Sequence, residues 1–119
     1  MIKFRKFEKM VSEYCPCLRQ IPHASPYFTL YEGAVISSDV DADVKYDQVH
    51  DKIIFPLKLK LDSKGNVVST NPDWETGKHI SATDEKQVID ELIYINKRVK
   101  ELKQKYKKKQ IEKDFKEQL

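Results

Sequence analysis

Hydrophobic and polar positions alternate along this chain with two different periods. Over residues 3–14, Phe4, Phe7, Val11 and Tyr14 recur at spacings of three, four and three, one face of a helix with charges opposite. Pro16 sets its end, because proline restricts Cys15 before it and donates no backbone hydrogen bond. Residues 15–26, with three prolines, read as an irregular connection. The aromatic and β-branched run 26–37 then predicts two short strands, or one strand bulged at Gly33.

Period two takes over at residue 39. Val40, Ala42, Val44 and Tyr46 fall on one side, and Asp39, Asp41, Asp43, Lys45 and Asp47 on the other. That alternation predicts a half-buried strand with an acidic outer face. Residues 52–62 predict the clearest strand, with Phe55, Leu57, Leu59 and Leu61 on one face and an edge position or bulge at Pro56. Asp62-Ser63-Lys64-Gly65 has the residues of a hairpin turn, and residues 66–70 return as the partner strand. The stretch from Asn71 to Ala82 reads as loop and holds Trp74, a residue that either folds back on the core or anchors an interface.

The last element is a long helix. Ser81, Thr83 and Asp84 offer N-cap oxygens, and Asp84 with Gln87 has capping-box spacing. Val88, Leu92, Ile95, Val99, Leu102 and Tyr106 recur at alternating spacings of four and three, the pattern of a heptad seam. Ile89, Ile93 and Tyr94 widen the stripe at its start, so the first half is expected to dock on a sheet. From residue 84 to 113 such a helix spans ~45 Å, whereas a compact body of the remaining size is ~30 Å across. The expected organisation is therefore an α+β body over residues 1–96, including the docked start of the helix, and a projecting tail over 97–119. The fold class expected is a short N-terminal helix, an antiparallel sheet of about four or five strands, and the long basic C-terminal helix.

Charge sharpens the division. The 119-residue chain has net charge +3, but residues 97–119 hold ten Lys/Arg against four Asp/Glu, and residues 1–96 hold twelve against fifteen. An acidic body thus carries a basic tail. Three readings of that tail stay open: a solvated end favoured by the helix dipole, a surface for a protein partner or for self-association, and phosphate tracking. Simple self-pairing along the heptad seam sets Arg98 against Lys103 of the other chain, which repels. A partner with an acidic surface suits the seam better. The protein-binding residues expected are then Val99, Leu102, Tyr106, Arg98, Lys103 and Lys105, with Trp74. For nucleic acid the candidates are Lys105, Lys107, Lys108 and Lys109, without a helix-turn-helix, zinc-finger or RNA-recognition signature.

Other chemistry is sparse. Cys15-Pro16-Cys17 with His23 offers thiolate and imidazole, but lacks the CxxC pair usual for zinc; two ordinary thiols are the reading, with a zinc site and redox chemistry as lesser alternatives. Asp39, Asp41 and Asp43 match the start of a calcium loop, but Val44 and His50 stand where glycine and glutamate are required. No Gly-rich phosphate loop, G-x-S-x-G or H-E-x-x-H occurs, and His23, His50 and His79 fall in or beside loops. No metal and no cofactor is expected, and no catalytic residue. No apolar run of membrane-spanning length or secretory segment is present, so the expected location is cytoplasmic. The resulting expectation is a non-catalytic protein-binding chain (a regulator, inhibitor or assembly subunit of the kind phages and mobile elements encode), with a nucleic-acid-binding accessory protein as the alternative.

Overall fold

A computed structural model of the chain describes residues 1–20, 27–29, 43–56, 58–69 and 77–117. Its elements run α1 (Phe4–Tyr14), β1 (Arg19–Gln20), β2 (Tyr27–Thr29), β3 (Val44–Asp47), β4 (Lys52–Phe55), β5 (Leu59–Leu61), β6 (Val67–Ser69), β7 (Lys78–Ser81) and α2 (Glu85–Glu117). The architecture is α+β, as the periodicities imply. Five strands form one antiparallel sheet in the order β1-β2-β3-β4-β7, and β5 and β6 form a separate two-stranded sheet.

The N-terminal helix forms where its apolar spacing places it. Phe7, Met10 and Val11 are buried, and Phe4 and Tyr14 pack at the core's margin. The Phe7 ring meets Phe28 of β2 edge-on at 5.3 Å between centroids and stacks on Tyr46 of β3 at 5.7 Å. This aromatic cluster fastens α1 to the sheet. The preceding residue is tied down as well: Ile2 N–H donates to Ala82 O at 2.8 Å, and the Tyr46 hydroxyl donates to Ile2 O.

Val44 and Tyr46 point into the core, in agreement with the alternation. The acidic outer face of this strand is not seen: Asp43 and Asp47 are themselves buried. Asp39 and Asp41 lie outside the described residues. Asp47 is buried because it locks the β3–β4 turn, accepting from the His50 backbone N–H at 3.2 Å and meeting His50 Nδ1 at 2.9 Å. Asp51 closes the same turn at φ 51°, a left-handed conformation that aspartate tolerates better than most residues.

Pro56 stops β4 instead of marking an edge. Its strand lies inside the sheet, between β3 and β7, and Ile53, Ile54 and Phe55 are all buried. Proline cannot extend that ladder, so the expected single strand splits and its second half, β5, leaves to pair with β6. The hairpin turn forms as read. Asp62 Oδ1 accepts from the backbone N–H groups of Lys64 at 2.9 Å and Asn66 at 2.8 Å, and Gly65 takes φ 84°. One strand went unread: β7 lies in the stretch expected to be loop, and only Ile80 of its four residues is buried.

The long helix starts at its expected cap, with Gln87 N–H donating to Asp84 Oδ1 at 3.1 Å. Val88, Leu92 and Ile95 are fully buried among the core residues. Two ion pairs hold this end, Lys6–Glu85 to α1 and Lys78–Glu91 to β7, each at 2.8 Å.

Candidate binding surface

The heptad line does not leave the body at residue 97. Val99 and Leu102 are 3% and 5% exposed and belong to the same continuous core as Val67, with Leu59 and Leu61 packed against it. Both β5 and β6 pack on α2. The hairpin's turn reaches as far as Tyr106, whose ring occupies the space over Gly65. The apolar seam is thus consumed within the chain. The expectation that Val99, Leu102 and Tyr106 face a partner is corrected, and the docked part of the helix extends about ten residues beyond the expected boundary. The reason is physical. Splitting at Pro56 frees the β5–β6 hairpin to lie along the helix, so the body extends along α2; the whole molecule, projecting helix end included, measures 58 × 30 × 24 Å.

Beyond Tyr106 the helix runs on to Glu117. Lys103, Lys105, Lys107, Lys108 and Lys109 are exposed, and Arg98, half-buried, meets Glu101 at 3.4 Å. The four lysines 105, 107, 108 and 109 do not make one stripe. At about 100° per residue they spread over an arc of about 200° of the helix circumference. Trp74 lies outside the described residues.

Two residues not singled out by the heptad reading stand on this distal segment. Ile111 is 69% exposed and Phe115 65% exposed. They sit four residues apart, adjacent on one face. At 3.6 residues per turn they lie about 140° and 180° around the helix from Tyr106, facing away from the body. Ile93, also exposed, is eighteen residues before Ile111 and shares its direction. Between them the same outward face carries Lys97, Lys100, Gln104, Lys107 and Lys108. The signal that finds this pair in sequence is its own spacing: two apolar residues four apart, offset from the heptad line.

Burial works to raise the Asp47 carboxyl pKa, but hydrogen bonds from the His50 ring and backbone outweigh it and hold the group below its ordinary value. This arrangement secures a turn. Cys15, buried, and Cys17, half-buried, are free cysteines. His23 lies outside the described residues. Among the described residues no group of three or more His, Cys, Asp or Glu could hold a metal ion, and no helix is long and apolar enough to cross a membrane. No protein-family model, curated protein or solved structure matches the chain.

Proposed function

We propose that this chain is a non-catalytic protein-binding protein whose distal helix, residues 107–117, docks in an apolar groove with an acidic rim on a partner. The observation that carries the reading is the outward-facing pair Ile111 and Phe115 on an arm that its own body does not cover. Aromatic and aliphatic side chains at i and i+4 are the anchors of helix-in-groove recognition. The neighbouring Lys107 and Lys108 supply the charge that an acidic rim would meet.

A second copy of this chain is a weaker occupant. Two apolar side chains per arm bury far less than the ~1,200 Å² of a stable interface. Nucleic acid is also disfavoured. The four lysines are spread over about 200° of the helix circumference, so a single phosphate track meets only some of them, and Glu112 and Asp114 interrupt the positive field at the anchor pair.

The test places a photoreactive amino acid at Gln104, on the anchor face, in cells that make the protein. The expected result is a discrete protein adduct that disappears with Ile111→Asp plus Phe115→Asp. An adduct indifferent to that double substitution contradicts the proposal. So does tight, salt-sensitive binding of duplex DNA that survives the double substitution and is lost when Lys105, Lys107, Lys108 and Lys109 become alanine.

A further inference from the structure

Cys15 ends α1, and its backbone N–H donates to Val11 O at 2.8 Å. Leu18 N–H then donates to Cys15 O at 3.0 Å, closing a four-residue turn with Pro16 and Cys17 at its centre. Proline fixes φ near −65°, the value the second residue of such a turn requires. Across this turn the two sulfurs lie 3.4 Å apart. Cys15 is fully buried in the core, while Cys17 is half-buried and Pro16 is exposed.

We propose that Cys15 and Cys17 form a reversible dithiol–disulfide site that exchanges with small disulfides of the glutathione class. One proline-locked residue separates the thiols, so closing the ring costs little chain entropy. The sulfurs need approach only from 3.4 Å to the ~2.05 Å of a disulfide bond. A ring this small constrains the unfolded chain weakly, so the bond stabilises little and stays easily reduced.

The two thiols have distinct roles. Burial and the hydrogen bond to Cys17 push the Cys15 thiol well above its ordinary pKa, with the hydrogen bond the larger cause. Cys15 therefore stays protonated, and Cys17, nearer to solvent, attacks first. The Cys17 thiolate attacks one sulfur of the small disulfide, forms a mixed disulfide and expels one thiolate. That thiolate, or a solvent base, takes the Cys15 proton. Cys15 sulfur then attacks Cys17 Sγ, breaks the mixed bond and expels the second small thiol. The protein loses two electrons and two protons, and one small disulfide becomes two thiols.

The experiment incubates the folded full-length chain with excess oxidised glutathione, quenches with acid and measures intact mass. The wild type is expected to end two hydrogens lighter, monomeric and without retained glutathione, and dithiothreitol should restore the starting mass. Cys15→Ala is expected to trap one glutathione on Cys17. Alkylation of the wild type gives the same answer without a variant: both thiols should become unreactive together, at one rate. A wild type that keeps glutathione, stays unmodified, forms only dimers between chains or loses one thiol alone overturns the proposal.

Discussion

The hairpin-turn glycine Gly65 and the helix residue Tyr106 pack so closely that a Cβ on Gly65 would lie 2.5 Å from Tyr106 Cε1. Gly65 also holds φ 84°, a conformation that strains any L side chain. Gly65→Ala should therefore cost about 1–3 kcal/mol, part from backbone strain and part from displacing the ring. In a Tyr106→Ala background the same substitution should cost less, because only the backbone part persists. A double-mutant cycle in urea measures the difference. Equal costs in both backgrounds would show that the turn does not rest on the helix.

The seam should be far more sensitive to truncation than the arm. Leu102→Ala removes a buried side chain and is expected to destabilise by about 2–5 kcal/mol. Leu102→Asp should unfold the chain, so any loss of binding that it causes reports folding. Ile111→Ala and Phe115→Ala remove exposed side chains and should change stability by less than about 0.5 kcal/mol. Denaturant midpoints for the three alanine variants check this ranking.

Acid should weaken the β3–β4 turn. The folded-state pKa of Asp47 lies below its ordinary value, despite burial, because His50 donates to it. Such a group contributes stability above the unfolded aspartate pKa of ~3.9 and loses it as pH falls through the lower folded value. The stability gap between wild type and Asp47→Asn should be full at pH 7 and close progressively below about pH 4. A gap constant from pH 7 to pH 2 would contradict the arrangement. Asp62, held down chiefly by the Asn66 backbone N–H, acts in the same direction, so the comparison is cleanest with Asp62 left intact.

Features legible in the sequence are those written in local chemistry. Helix α1 follows from four apolar residues at helical spacing, the α2 start from Asp84, and the β5–β6 turn from Asp62 and Gly65. Strand β7 escaped because its four residues, Lys78–Ser81, bury only Ile80, too little alternation to register. The burial of Asp47 escaped because turn-locking hydrogen bonds from His50 override a period-two pattern. Docking of Val99 and Leu102 escaped for a tertiary reason: nothing local in residues 59–69 says that the hairpin will lie along a helix thirty to forty residues later. Ile111 and Phe115 are only two residues on their face, and the longer heptad line from Val88 to Tyr106 dominates the pattern on the opposite side of the helix.

The central claim is that α2 changes character at Tyr106, supported by the core before it and projecting after it. Isolated helical segments of about ten residues are marginal in water, so the arm should open far more readily than the rest. Hydrogen exchange read amide by amide on the purified chain tests this directly. The account predicts protection close to the global unfolding limit through Leu102, falling steeply over residues 107–117. Fast exchange beginning at residue 97, or uniform protection through residue 117, would contradict it.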